Sequence, residues 1–484
     1  MYKRLFIIFA VSLSFVTVGV FAQDAPKAKN VIIFIGDGMG FNSDLAGTYY
    51  RYGEAGKQSY HAFPVRVGCT TYSLEADAHD DHVGYDPAVF WKPFTAGERV
   101  EFTDSAAAST AIHSGSKTLD LRVGIDAHDN PLELISEVAV RTGRKAGCVT
   151  SDLISRATPA GFCAHSPSRY DLDGIFNQMI DEKSPISVVM GGGEWFDAEG
   201  KKWVFDPNNP ENDKAKRSFG VSSKATWEKT RSGRVNGFTV ISTRKQFEEL
   251  ASPKQGTSLP SKVIGLIHCK VTVPPVDGPL DDVAATRELF DAEYAGAVLD
   301  DLPSLTTMTL GAINVLMQNN NKGFVLMVEG GAIDHANHGH NAARSVLEHT
   351  GFSKAVDAVI QWVETNSSWQ ETLVIVTGDH ETGRLWGPDT FRDRNGNSVF
   401  DRSDVFNDFK PLVSTGRGDV PRVQYGDREH SNAFVPLYAK GPGAELFLKR
   451  VKGTDTKAAA MWNFSGQYVD NTDIFHVMKA VIAP

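Results

Sequence analysis

The chain has 484 residues, 41% of them hydrophobic and 22% charged, with a formal net charge of −10. That is ample apolar material for one large domain or for several. The acidic balance excludes nucleic-acid binding held by phosphate contacts, and any anion site must be built locally from metals or arginine.

At the N-terminus, Lys3 and Arg4 precede an apolar stretch from Leu5 to about Phe21, and VFA at 20–22 offers small residues before Gln23. This pattern predicts a secretory signal peptide over 1–22, cleaved near Ala22/Gln23, and a periplasmic or secreted mature protein. The stretch is near the lower limit for spanning a bilayer, no cysteine follows it, and no later segment is long and apolar enough, so no stable membrane anchor is expected. Cys69, Cys148, Cys163 and Cys269 allow three pairings among which sequence does not choose. Cys69 and Cys148 lie in apolar strand-like runs, where a buried free thiol is the commoner state.

In chain order, NVIIFIGDG (30–38), AGCVTSD (146–152), FVLMVEGG (324–331), TLVIVTGDH (372–380) and AFVPLYAKGP (433–442) read as buried strands. Their apolar runs are continuous rather than alternating, as when both sheet faces are covered. PLELISEVAVRTG (131–143) and SVLEHTGFSKAVDAVIQWVE (345–364) read as helices between them. The alternation predicts an α/β fold: a doubly wound, mainly parallel central sheet covered by helices on both faces. Polar, turn-rich insertions are expected near 195–260, where DPNNPENDKAKRS stands at 206–218, and over 381–429. With no repeat and no linker, residues 23–484 read as one domain carrying insertions.

Within FTDSAAASTAIHSG (102–115), Ser105 has two readings. The alanine run predicts a helix, with Asp104 and Ser105 as its cap, or else Ser105 is a nucleophile aimed at an anion that the helix terminus attracts. The strand ends bear on the choice. Asp37 ends the first strand, Glu329 the third, and Asp379 with His380 the fourth, where ligand sites of open parallel sheets lie. Acids gathered there would repel one another unless cations held them. In IDHANH, Asp334 and His338 stand four apart on one side of a helical turn, and His430 in REHSNAF precedes the last strand. Carboxylate plus imidazole is zinc chemistry. There is no GxSxG elbow, HExxH or Walker loop.

The motifs IGDGMG, TDSAAASTA, ATPAGFCAHSPSR, VEGGAIDHANH, TGDHETG and EHSNAF, in this order from about residue 30 to 440, resemble those of the alkaline phosphatases. The resemblance implies a hydrolase of phosphate monoesters in which Ser105 becomes a phosphoserine. It implies one zinc held by Asp37, Asp379 and His380, and a second by Asp334, His338 and His430. It also implies a phosphate clamp at Arg169 oriented by Asp104, and a magnesium ion at Asp37, Thr158 and Glu329, all oxygen donors. Two departures fall beside the third site. Arg156 stands where the enterobacterial type has Asp and the animal type His, and His335 is shared with the animal type where the enterobacterial type has Lys. A permanent cation at Arg156, aimed at the third site or the phosphate, would weaken magnesium binding; pairing with Glu329 is the other option for it. Members of the family are commonly homodimers, so the resemblance raises that assembly.

Two further clusters carry less. DAHDDH (77–82) reads as a solvated loop rather than a metal site. DRNGNSVFDRSD (393–404) puts Asp393, Asn395, Asn397, Asp401 and Asp404 at positions 1, 3, 5, 9 and 12 of an EF-hand-like loop, so calcium is a candidate there. The glycine is displaced and the last acid is Asp. The alternatives are a phosphodiesterase or sulfatase of the same superfamily, or an extracytoplasmic zinc- or phosphate-binding protein without chemistry. Alanines follow Ser105 where a sulfatase needs its C/S-x-P-S-R context, and such diesterases usually use Thr and lack the arginine.

Overall fold

The strand Asn30–Gly36, NVIIFIG, is buried along its whole length, and its side chains alternate between two apolar clusters. Val31, Ile33 and Ile35 join one, Ile32 and Phe34 the other. A strand apolar on both sides belongs inside a sheet covered twice. This one lies in the middle of a sheet of twelve strands. The computed structural model describes residues 26–74, 84–94, 103–194, 226, 229–230, 232–268 and 302–483.

In chain order the sheet contains β1 (Asn30–Gly36), β2 (Val65–Thr70), β3 (Lys145–Leu153), β4 (Ile186–Glu194), β5 (Arg234–Val235) and β6 (Phe238–Ile241). It continues with β7 (Val263–His268), β8 (Phe324–Gly330), β9 (Thr372–Gly378), β10 (Val435–Lys440), β11 (Gly453–Thr454) and β12 (Gln467–Asp470). Their spatial order is β11-β12-β2-β10-β9-β1-β8-β3-β4-β7-β6-β5. From β9 to β6 every pairing is parallel, and β10 runs against both of its neighbours. One face packs against helices Ser105–Ser114, Ile135–Arg141, Ala157–Cys163, Leu172–Met179 and Thr472–Ile482. Helices Arg244–Ala251, Leu305–Met317 and Ala342–Asn366 cover the other. The doubly wound α/β architecture is as expected.

All five strands read from the sequence are present; four are trimmed by one to four residues, and the one read at 146–152 extends one residue further at each end. In the region read as an insertion near 195–260, the described residues include a short antiparallel pair, β5 and β6, that extends the sheet beyond β7. β6, FTVI, is buried only at Phe238 and Ile241, so it showed no strand periodicity. Across the second region, 381–429, and on to Ser431, the chain forms three short antiparallel ladders, and Phe391, Phe400, Trp386 and Phe409 cluster there with Phe94 and Trp462. The expected signal peptide, the segment 206–218, the DAHDDH loop and Cys269 lie outside the described residues. Cys69, Cys148 and Cys163 are free, and no described helix is long and apolar enough to cross a membrane.

Strand register sets the site. Gly36 of β1 is level with Gly330 of β8 and Gly378 of β9, and Thr150 of β3 with Glu329. Asp37, Glu329 and Asp379 therefore leave the sheet along one carboxyl edge. Because β10 is antiparallel, its N-terminal end meets that same edge, which brings the preceding His430 to it. The ladder pairing His430 with Thr382 fixes that approach.

Candidate active site

Two groups of three ligating side chains form at this edge: Asp37, Asp379 and His380, and Asp334, His338 and His430. In the first, His380 Nε2 lies 3.5 Å from Asp37 Oδ1 and 3.3 Å from Asp379 Oδ2. In the second, Asp334 faces His338 Nε2 at 3.3 Å and His430 Nε2 at 3.5 Å, and the two imidazole nitrogens are 3.2 Å apart. The His380 and His430 rings stack with centroids 3.5 Å apart, so the groups adjoin. The i, i+4 spacing read for Asp334 and His338 is realised on the helix Ala332–His338. Gly38, at φ +72°, lets the backbone pass this helix: a Cβ there would lie 2.6 Å from Asp334 Cα.

Ser105 opens the helix Ser105–Ser114 and is 3% exposed. Its hydroxyl is 3.2 Å from His380 Nε2. Asp104 fills both roles weighed for it. One oxygen accepts the Ala107 N–H as the helix cap, at 2.9 Å, and the other accepts Arg169 Nη1 at 2.9 Å and the Leu121 N–H at 3.1 Å. The guanidinium beside Ser105 is thus aimed by the residue that caps the serine's own helix.

Burial and crowding set the electrostatics. Burial pushes Asp37 well above the usual carboxylate range, helped by Asp379, Asp334 and Glu329. Burial and then Asp334 lift Asp379 to about 7, and burial with Asp152 lifts Glu329 to about 8. Burial, then His430, holds His380 well below its ordinary value. In the other group burial is outweighed by attraction: Asp334 lifts His338 to about 9, while the two imidazoles hold Asp334 low. Buried oxygens without hydrogen-bond partners include Asp37 Oδ1, Asp379 Oδ2, Glu329 Oε1 and Thr158 Oγ1. Repelling carboxylates with unsatisfied oxygens are what a cation site requires. The donor sets fit: carboxylate with imidazole for zinc, and the oxygens of Asp37, Thr158 and Glu329 for magnesium.

Some partners were not singled out from sequence. Thr382 Oγ1 donates to Asp334 Oδ1 at 2.5 Å, and Ser431 donates to buried Glu381 on the ladder that carries His430. Thr150 donates to Glu329, and Asp152 pairs with His335 and Arg156. Arg156 therefore turns to Asp152, not to Glu329. Asp152 ends the strand segment AGCVTSD, and position at a strand end was its only signal. In the 393–404 loop the acids serve the backbone: Asp393 accepts the N–H groups of Asn395, Gly396 and Ser398, Asp404 those of Arg394 and Asp401, and Asp401 that of Ser403. Asn395 donates to Asp401, and the Asn397 oxygen accepts the Val399 N–H.

Fold and site together define a doubly wound α/β protein with two groups of candidate ligating side chains at the carboxyl edge of its sheet. The alkaline phosphatase family model matches residues 28–414, and the chain belongs to that family. It is 28% identical to alkaline phosphatase 4 of Bacillus subtilis, over 90% of this chain and 88% of that protein. Its fold is like that of the alkaline phosphatase of a psychrophilic Shewanella, with TM-score 0.62 and 21% identity over 94% of this chain and 100% of that one. It is also like a variant of the alkaline phosphatase of the Antarctic bacterium TAB5 with magnesium bound in its M3 site, with TM-score 0.58 and 22% identity over 95% and 99%.

Proposed function

We propose that this phosphatase hydrolyses phosphate monoesters through a phosphoserine on Ser105. The observation that carries the reading is the Ser105 hydroxyl against His380, with Arg169 aimed beside it by Asp104. Ser105 Oγ gives up its proton and forms the Oγ–P bond as the ester P–O bond breaks, and the departing alkoxide takes a proton. Arg169 offers two N–H groups to non-bridging oxygens, a planar fit that lysine lacks. Attack of water then breaks the Oγ–P bond, releases inorganic phosphate and restores the serine.

Asp37, Asp379 and His380 would hold one zinc, Asp334, His338 and His430 a second, and Asp37, Thr158 and Glu329 a magnesium ion. Bound there, the cations supply Lewis acidity to the attacking and leaving oxygens of an in-line displacement. The magnesium reported for the TAB5 variant supports a third cation in this fold. The N-terminal apolar stretch supports work in the periplasm or outside the cell, on small phosphate esters. The test is a parallel assay of a monoester, a diester and a sulfate ester with metal content measured. Monoester hydrolysis should dominate, and preference for either other substrate overturns the reading.

A further inference from the structure

Arg156, a permanent positive charge, caps the helix Ala157–Cys163 two residues before Thr158, which with Asp37 and Glu329 is read as a magnesium pocket. Asp152 stands against Arg156. Its carboxylate is 3% exposed, and Oδ2 lies 3.0 Å from His335 Nε2 and 3.7 Å from Arg156 Nε. Oδ1 accepts the Leu153 N–H at 2.6 Å. The Asp152 N–H in turn reaches Thr150 Oγ1 at 2.8 Å, and that hydroxyl donates to Glu329 Oε2. Thr150 thus links the backbone of Asp152 to one oxygen of Glu329, while Glu329 Oε1 and Thr158 Oγ1 have no partner. Gly331 makes the close approach possible: a Cβ there would lie 2.6 Å from Asp152 Cβ and 3.4 Å from Glu329 Cδ.

We infer that Asp152 is a positioning residue that holds Arg156 and His335 off this pocket, leaving its oxygens open to a divalent cation. The inference rests on reading the pocket as a cation site. Asp152 does not need to touch the cation. Its carboxylate gives the guanidinium of Arg156 and the imidazole of His335 a buried partner other than the Glu329 oxygen that lacks one. A guanidinium drawn to Glu329 would compete directly with the cation for that oxygen.

The experiment is calorimetric titration of magnesium into full-length, zinc-loaded protein at one pH, for the parent, Asp152→Asn, Arg156→Gln and the double variant. Asp152→Asn should weaken magnesium binding by about tenfold or more, as expected when the freed guanidinium competes with the cation for Glu329. Arg156→Gln should change the parent's Kd by less than about threefold, because Arg156 is already held away. In the Asp152→Asn background the same substitution should recover most of the loss. Equal Kd values for the parent and Asp152→Asn overturn the role of Asp152. So does an Arg156→Gln effect of the same size in both backgrounds, since Asp152 would then act through net charge alone. Absence of magnesium binding in the parent and every variant overturns the cation reading of the pocket itself. Melting temperatures of the metal-free variants check folding, and Asp152→Ser carries the same test if Asp152→Asn does not accumulate.

Discussion

The two ligand trios are built from the same kinds of side chain and behave differently. Asp37, Asp379 and His380 are at most 6% exposed, and burial acts on them almost unopposed: both acids are pushed up and the imidazole down. In the Asp334, His338 and His430 trio, His338 is 37% exposed at its side chain, and Asp334 draws both imidazoles towards the charged form. Depth decides which force wins. The inner trio resists charge and therefore calls for a cation, whereas the outer trio is already a partly charged ion pair from which a cation must displace protons.

Substitutions can break or sharpen this contrast. The largest effect is expected at Ser105, which touches the inner trio. Ser105→Ala should lower monoester turnover by about 10³-fold or more with the metal content of both trios unchanged, measured by steady-state kinetics and elemental analysis. Near-normal turnover would leave the serine with only its place at the helix start. Arg169→Lys should cost about 10²-fold in turnover, again with metal retained, because a single point charge replaces the planar fork. A loss of metal in that variant would show that the guanidinium supports the inner trio instead. His338→Ala and His380→Ala should both lose activity, but added imidazole should restore about tenfold only to the first, whose site opens to solvent. Equal rescue of both would erase the difference in depth.

The smallest effect concerns pH. In metal-free protein, Asp379 at about 7, Glu329 at about 8 and His338 at about 9 all bind protons more tightly folded than unfolded. A raised folded value stabilises below the unfolded value and is lost as pH rises through the folded one. Above the ordinary histidine value of about 6.5, these three shifts share that sign. The melting temperature of metal-free protein should therefore fall by a few degrees between about pH 6.5 and 9, and calorimetric scans with and without zinc should diverge across that window. A flat metal-free profile would contradict the crowding of carboxylates.

Much of this site was legible in the sequence because its ligands punctuate strongly apolar runs. Asp37, Glu329 and Asp379 each stand where a run of buried β-formers stops, and the Asp334–His338 spacing fits a helix turn. Ser105 was ambiguous in isolation: a serine at a helix start looks the same as a cap and as a nucleophile, and the surrounding motif and the apposed His380 support the proposed second role. What the sequence hid was tertiary. The antiparallel sense of β10 delivers His430 to the site, and no periodicity encodes strand direction. Arg156 stands only four residues from Asp152, but the pairing of Asp152 with His335 spans 183 residues, and no local pattern announces it. The four-residue strand β6 was missed because only its two end residues are buried, which leaves no alternation to read.

The dispersal of the ligands along the chain has a consequence for biosynthesis. A polypeptide lengthening from its N-terminus already carries Asp37 and Ser105 within its first quarter, yet lacks any complete trio until His380 has been made. The other trio must wait for His430, which arrives with most of the sheet already translated. Early segments can collapse, but β1 has neither of its sheet neighbours until β8 and β9 are made. On the proposed reading, hydrolytic competence therefore comes late in synthesis, and a chain cut short ahead of His430 would lack the second trio.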